Sequence, residues 1–180
     1  MGEIQPVRRV KLFVGLLTSL PNVLPQVAEE LIARFGRMDL QSEEYPFDAT
    51  SYYDRQMGTP ITRRFYAFAS LISPASLSGI KHWTNDLEAL CRASSSAVER
   101  PVNLDPGYLE ESKVVLASTK NFYHRIHIGE GIYAEVTMHW EGKEWKMFPW
   151  TFPDFRSRRY DVFFTALRRL YRTQLSTLSG

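Results

Sequence analysis

The chain has 180 residues, a net charge of +2 and a hydrophobic fraction of 44%, so we expect residues 1–180 to form one soluble globular domain. This charge excess is too small to indicate a nucleic-acid-binding protein by itself. The single cysteine, Cys91, excludes an internal disulfide framework, and no apolar run approaches the ~18 residues of a membrane span. We therefore expect a cytoplasmic protein without a membrane partner.

The first forty residues have the pattern of a strand, a helix and a second strand. Residues 10–18 are almost continuously apolar, as in a central strand that is covered on both faces. Pro25 and Gly36 are suitable first and last residues for the helix that follows. Residues 38–43 alternate weakly between apolar and polar side chains, which predicts a short strand.

A second group of elements repeats this order. Residues 64–72 predict a strand, and Ser73-Pro74 is a favourable start for a helix. A short strand over 102–104 is expected to end at Pro106-Gly107. The helix should bury Leu77, Ile80, Leu87, Leu90 and Cys91 and expose Lys81, Asn85, Glu88 and Arg92.

The resulting order, β-α-β-β-α-β, is that of the ferredoxin-like arrangement. Further strands are predicted at 113–119, 122–128, 132–140 and 144–148, followed by a helix over 160–175. We therefore predict an α+β fold in which an antiparallel hairpin ribbon and a C-terminal helix extend a ferredoxin-like βαββαβ core.

The hairpin ribbon carries a candidate site. If residues 129–131 form its turn, His127 lies opposite Tyr133, Arg125 lies opposite Glu135, and Ile128 lies opposite Ile132. One interpretation is a solvated salt bridge on an exposed sheet face. The other is a site in which Arg125 and Tyr133 bind a ligand while Glu135 and His127 are catalytic. The polar face as a whole comprises Tyr123, Arg125, His127, Tyr133, Glu135, Thr137 and His139.

Two further segments supply candidates. Asn103 and Asp105 project to one side of a short strand, and Asp105 is the best catalytic candidate, with Asn103 and Tyr108 as ligand-binding residues. The alternative is that Asp105-Pro106-Gly107 serves only to form a turn. Adjacent tyrosines, Tyr52 and Tyr53, lie in a turn-rich loop and either cover a ligand or divide between core and solvent.

The histidines do not follow the spacing of known metal or phosphoesterase motifs. A set of His127, His139 and Glu135 on one face is conceivable, but ligand spacing is otherwise missing, so no metal is expected. Two-histidine phosphoesterases need two H-x-[ST] motifs, and only His82-Trp83-Thr84 has that form, inside a predicted helix. The chain also lacks a G-x-x-x-x-G-K-[ST] loop. No cofactor is identified by the sequence.

The C-terminal third is basic and aromatic. Residues 156–172 contain six arginines against one acid, Asp161, and follow an aromatic stretch. Basic residues interleaved with aromatic rings are typical of single-stranded nucleic-acid binding. The alternatives are that these arginines form the solvated face of an amphipathic helix or that they pair with the acidic segment 39–54.

Several segments carry a family resemblance. V-N-L-D-P-G-Y-L, then V-L-A-S-T-K, then H-R-I-x-x-x-x-G-I-Y-A-E resemble a bacterial family known as domain of unknown function 4416. K-L-F-V-G-L-L, P-F-D-A-T-S-Y-Y and T-N-D-L-E are similar to it as well, so the resemblance extends over most of the chain. It implies no activity, cofactor or partner.

Three functions are compatible with these patterns. The first is a protein that handles a small molecule or nucleotide at the polar sheet face, with or without catalysis. The second is an RNA- or DNA-binding module that uses the C-terminal third, and the third is a non-catalytic interaction protein. A concave pocket holding Asn103, Asp105, Arg125 and Glu135 would favour the first.

Overall fold

The computed structural model describes residues 2–95 and 97–178 and has an α+β architecture with one antiparallel sheet. Its strands are β1 Val10–Thr18, β2 Met38–Gln41, β3 Tyr45–Pro46, β4 Thr62–Ile72, β5 Asn103–Leu109, β6 Lys113–Ser118, β7 Ile126–Gly129, β8 Ile132–Glu141 and β9 Glu144–Met147. Its α-helices are α1 Leu24–Phe35, α2 Asp54–Met57, α3 Leu77–Ala93, α4 Pro153–Arg156 and α5 Asp161–Leu178.

The strands are arranged in the order β2-β4-β1-β5-β6-β8-β7, with β3 beside β4 and β9 beside β8. β1 pairs with β4 on one side and with β5 on the other. This confirms the prediction that residues 10–18 form an interior strand. Its apolar sequence follows from that position, because every residue of β1 is buried.

Both faces of the sheet are covered, by different helices. On one face, α1 and α3 pack their apolar stripes against β1, β4 and β5 through residues such as Leu31, Leu87 and Val14. On the other face, α5 places Phe164 and Leu167 against Phe13. Among the described residues, no helix is both long enough and apolar enough to cross a membrane.

β5 and β6 separate part of the way along the sheet. They are paired only from Leu109↔Val114 to Gly107↔Leu116, while β5 stays paired with β1 as far as Asn103. β6 continues to Ser118 alongside β8. A gap therefore opens between the N-terminal half of β5 and the C-terminal end of β6.

The prediction of a turn at Asp105-Pro106-Gly107 is wrong, because these residues lie inside β5. Pro106 is tolerated because pairing with β6 ends at Gly107, so its missing N–H breaks no ladder bond on that side. Gly107 is required by close approach, since a Cβ atom there would lie 2.4 Å from the Val115 carbonyl oxygen.

Three other local predictions need correction. Residues 122–125 form a turn closed by the Arg125 N–H and the Phe122 carbonyl, and β7 begins only at Ile126. Leu90 on α3 is 64% exposed instead of buried. Lys81 is buried instead of solvated, because its ammonium group donates to the Leu104 carbonyl.

The register of the hairpin ribbon agrees with the prediction at its centre. His127 pairs with Tyr133 as expected, whereas Gly129 and not Ile128 opposes Ile132 because the register shifts next to the turn. The expected polar face of β8 is not solvated. Glu135 is 3% exposed and Thr137 is fully buried.

Candidate functional site

The gap between β5 and β6 contains a cavity of about 380 Å³. This volume lies in the ~300–1,000 Å³ range of small-molecule sites. The lining comes from strands β4, β5, β6 and β8, from helices α3 and α4, and from the loops before α2, before β5 and between β6 and β7. The polar lining residues are Thr50, Tyr52, Tyr53, Arg63, Lys81, Asn85, Arg100, Asn103, Asp105, Ser118, Thr119, Lys120, Arg125, Glu135 and Asp154, and the ring-bearing apolar ones are Phe47, Phe152 and Phe155.

One wall of the cavity is a hydrogen-bonded chain of side chains along β5. Asp105 Oδ2 accepts from Asn103 Nδ2 at 2.7 Å and from Arg63 Nη1 at 3.0 Å. Asn103 Oδ1 accepts in turn from Arg100 Nη2, which also donates to Glu88 at 2.8 Å. Within the described residues, both hydrogen bonds of the Asp105 carboxylate end on Oδ2, so Oδ1 is available to a ligand.

Arg63 is the buried anchor of this wall. Its guanidinium group lies between Asp105 and Asp154, with Nη2 3.3 Å from Asp154 Oδ2. Burial alone would lower the pKa of Arg63, but the charges of Asp154 and Asp105 raise it above its ordinary value, so Arg63 is always charged. Space for the group exists because residue 15 is glycine, where a Cβ atom would lie 2.9 Å from Arg63 Nη1.

The opposite wall is built around Glu135 on β8. Glu135 Oε2 accepts from Arg125 Nε at 2.8 Å and is 3.0 Å from His124 Nε2. Arg125 is held by two further bonds from Nη1, to Ser118 Oγ and to the Lys120 carbonyl, both at 2.9 Å. The ion pair is therefore buried, with side chains 10% and 1% exposed, and is not a solvated surface contact.

The two walls are within reach of one small molecule. Gly107 pairs with Leu116, and Leu116 pairs with Glu135, so the three residues project to one face. Neighbouring strands lie about 4.8 Å apart, which puts the Cα atoms of Gly107 and Glu135 about 10 Å apart. Asp105 lies two residues further along β5, at the edge of the gap.

The mouth of the cavity is aromatic and cationic. Lys120 Nζ donates to Tyr52 Oη at 2.7 Å, and this hydrogen bond lowers the pKa of Tyr52. Tyr52 is 62% exposed and packs edge-on against the ring of Tyr53. The guanidinium carbon of Arg100 lies over the Tyr53 ring, 5.5 Å from its centroid. Burial, reinforced by the charge of Asp105, raises the pKa of Tyr53 to about 12.

The lining carries an excess of positive charge. Five cationic side chains face three carboxylates, which leaves a net charge of +2 on the lining residues. Glu88, which lies behind Arg100, reduces this to +1. A concave surface with this balance attracts a small anion more strongly than a neutral or cationic molecule. The cationic groups are Arg63, Lys81, Arg100, Lys120 and Arg125, and the carboxylates are Asp105, Glu135 and Asp154.

The structure brings six of the nine candidate residues to this cavity: Tyr52, Tyr53, Asn103, Asp105, Arg125 and Glu135. The other three lie elsewhere. His127 is on the exposed edge strand β7. Its ring centroid lies 5.3 Å from that of Tyr133, and its Nε2 atom accepts a hydrogen bond from the Gly131 N–H. Tyr108 packs against the cluster around Leu77 beneath α3.

Sequence reasoning missed several lining residues: Arg63, Lys81, Arg100, Lys120 and Asp154. Lys81 had been placed on the solvated stripe of its helix, and Arg63 precedes the predicted start of its strand. One signal was present. Gly15 interrupts an otherwise apolar buried strand, and such a glycine often marks the close approach of another group. Here that group is the Arg63 guanidinium.

The histidines are distributed over separate surroundings. Among the described residues, no three His, Cys, Asp or Glu side chains are close enough to hold a metal ion. His124 stacks on Trp150 with ring centroids 5.3 Å apart and contacts Glu135. His139 is on the same strand as Glu135 but contacts a different carboxylate, with its Nε2 atom 3.4 Å from Glu141 Oε2.

The C-terminal third does not present a continuous basic and aromatic surface. Trp145 is only 1% exposed. Arg158 is bound to Glu144 and Asp161, and Arg159 is bound to Asp48. The guanidinium carbon of Arg168 lies 4.4 Å from the centroid of the Trp140 ring. Most of these arginines therefore serve the packing of α5 and the loops around it.

Comparison with known proteins identifies a family whose description states no activity. Neither the curated proteins nor the solved structures include a match to this chain. The family model described as Domain of unknown function (DUF4416) matches residues 8–171, which is most of the chain. The match confirms the resemblance found in the sequence, and the chain belongs to the DUF4416 family.

Proposed function

We propose that the protein binds a small organic anion with an aromatic ring, of the nucleotide class, in the cavity between β5 and β6. The observation that carries this proposal is the mouth of the cavity. There Lys120 contacts the exposed ring of Tyr52, Tyr52 packs on Tyr53, and Arg100 lies over the ring of Tyr53. Cationic donors bind phosphate, and aromatic rings stack on nucleobases.

The two carboxylates suit proton transfer to or from a bound ligand. Asp105 and Glu135 are each fixed through one oxygen by a guanidinium group, which keeps the carboxylates oriented. The second oxygen of each faces no donor among the described residues. We therefore retain Asp105 and Glu135 as catalytic candidates and give His127, on the edge strand outside the cavity, no role there.

We also propose that the core is ferredoxin-like. In support, β2-β4-β1-β5 is the order that a βαββαβ chain gives, and α1 and α3 pack on the same face. A bacterial cytoplasmic location is proposed as well, on the basis of the family resemblance and the single, buried Cys91.

The nucleic-acid alternative is favoured by one observation only. A shallow groove of about 760 Å³ between the N-terminal segment and α5 is lined by Arg8, Arg9, Arg169 and Arg172. Glu111 lies in the same groove and contacts Arg8 and Arg172. The groove has no aromatic lining residue among those described, so it lacks the stacking platform that single-stranded binding requires.

The proposal is tested by thermal denaturation with adenosine 5′-monophosphate, adenosine, inorganic phosphate and a single-stranded oligonucleotide. Adenosine 5′-monophosphate should raise the melting temperature, since a ligand at a hundred times its Kd stabilises by about 2.7 kcal/mol. Lys120→Ala should weaken binding about tenfold, because a charged hydrogen bond is worth about 1.5 kcal/mol or more.

The matched control is Lys146→Ala, which removes a partly exposed lysine on β9, away from the cavity. This variant should bind like the wild type. Stabilisation by the oligonucleotide alone, with no effect of Lys120→Ala, would favour the groove along α5. The absence of any response to nucleotides would reject the proposal.

A further inference from the structure

Glu135 carries a buried acceptor oxygen that has no donor in the part of the chain that the structure describes. Oε2 of its carboxylate is engaged by Arg125 and His124, while Oε1 has no hydrogen-bond partner among the described residues. The side chain is 1% exposed and lines the cavity. A buried carboxylate oxygen without a donor is costly, so this position favours a ligand that supplies one.

The cavity has exposed cationic groups at its mouth and, within the residues described, an unpaired acceptor oxygen at its floor. The mouth is cationic, since Lys120 is exposed and the Arg100 side chain is 31% exposed. The floor holds the buried carboxylates of Glu135 and Asp154, 1% and 5% exposed. Each of them is paired with a buried guanidinium group, that of Arg125 and that of Arg63. An anion made only of acceptor oxygens would fit the mouth but would leave Glu135 Oε1 without a donor.

We infer that the ligand directs a hydrogen-bond donor at Glu135 Oε1 while its phosphate stays at Lys120 and Arg100. This inference rests on the proposed function and narrows the ligand to phosphorylated compounds with a hydroxyl or N–H group at the far end. Simple dicarboxylates, which carry no donor when ionised, would leave Glu135 Oε1 unpaired. Glu135 is then the residue that determines specificity.

Two parts of a nucleotide can supply the donor. A ribose diol is one, as carboxylates that recognise ribose hydroxyls in other nucleotide sites illustrate. The exocyclic amine of the base is the other, since a Glu carboxylate accepts well from such an amine. Adenosine 5′-monophosphate has both groups, its 2′,3′-dideoxy analogue lacks the diol, and inosine 5′-monophosphate lacks the amine.

The experiment measures the affinity of the wild type for these three compounds by titration calorimetry. One of the two analogues should bind about tenfold or more weakly than adenosine 5′-monophosphate, because losing a donor to a carboxylate leaves that oxygen unpaired. The analogue that binds weakly identifies the source of the donor.

Glu135→Gln tests the role of the residue itself. The amide oxygen can replace Oε2 as acceptor for Arg125, which turns the amide N–H₂, a donor, towards the ligand. The variant should therefore lose its selectivity and bind adenosine 5′-monophosphate and the weaker analogue within about twofold of each other. Glu141→Gln, an exposed change on the same strand, should keep the wild-type ratio.

The outcomes distinguish failure of the proposed nucleotide binding from failure of the proposed role of Glu135. If all three compounds bind the wild type equally, the cavity binds nucleotides but this inference is wrong. If selectivity exists and Glu135→Gln retains it, the donor goes to another residue and the inference is also wrong. If none of the three binds, the proposed function fails and this inference fails with it. Circular dichroism of each variant establishes that it is folded before affinities are compared.

Discussion

At the scale of single residues, Arg63 is the most constrained group of the site. It is 5% exposed and its guanidinium group contacts two carboxylates, Asp105 and Asp154. Tyr160 also donates to Asp154 Oδ2, at 3.1 Å. The cluster has a net charge of −1, and its stability depends on the single cation that lies between the two acids.

Arg63→Ala should destabilise the fold by about 3–5 kcal/mol, because it leaves two carboxylates without their buried partner. The neighbouring Arg64 provides the control. It lies on the other side of β4 in a partly exposed pair with Glu44, so Arg64→Ala should cost about 1 kcal/mol or less. Urea denaturation of both variants measures the difference. Equal losses would show that the Arg63 cluster does not stabilise the fold.

Tyr53 gives a pH dependence with a definite sign. Its folded pKa of about 12 lies above the ordinary value of 10, so the unfolded chain releases this proton first. Stability should therefore decrease as pH rises from about 10 towards 12. Between pH 9 and pH 11, the wild type should lose about 1 kcal/mol more than Tyr53→Phe, as measured by urea denaturation. Parallel curves for the two proteins would contradict this assignment.

At the scale of elements, the junction of β5 and β6 determines the shape of the cavity. Gly107 is the last paired residue before the strands separate. A Cβ atom at this position would lie 2.7 Å from Phe13 as well as close to the Val115 backbone. The two strands can approach each other here only because residue 107 has no side chain.

Gly107→Ala should destabilise the protein by about 2 kcal/mol or more, since backbone atoms must move to admit the methyl group. Gly79→Ala is the opposite case. Gly79 lies in α3 with open space around its Cβ position, so alanine should stabilise by about 0.5–1 kcal/mol. Melting temperatures of the two variants should move in opposite directions. A neutral Gly107→Ala would show that the junction is not tightly packed.

The regular elements were predictable where their periodicity was strong. β1, α1, α3 and α5 were located from apolar runs and apolar stripes, which depend on local sequence alone. The extended conformation of Asp105-Pro106-Gly107 was not predictable, because these residues favour a turn unless a neighbouring strand holds them extended. Here β1 pairs with β5 over its whole length and overrides that preference.

At the scale of the whole molecule, the candidate site was only half predictable. Asp105, Arg125 and Glu135 were recognised as polar residues in strand patterns, but their meeting at one cavity depends on the order of the strands. The burial of Glu135 was not predictable either. Its alternation is that of a solvated face, but the segment around Trp150 and Phe152 packs beside it: Trp150 donates to the Val136 carbonyl, and the Phe152 ring lies against Arg125.

Arg63 and Arg100 illustrate why the remaining site residues were missed. Each lies just before the start of a predicted strand, and no periodic signal distinguishes it from a solvated arginine. Their positions are set by contacts with Asp154 and Glu88, which lie 91 and 12 residues away along the chain. Such contacts are properties of the folded chain and not of its local sequence.

The central claim is that the gap between β5 and β6 binds a small phosphorylated ligand. The most direct measurement is a crystal structure of the protein grown with adenosine 5′-monophosphate. We expect the nucleotide between the two strands, with its phosphate within about 3.2 Å of Lys120 or Arg100 and a donor facing Glu135. A nucleotide bound in the groove along α5, or an empty cavity at saturating nucleotide, would contradict the account.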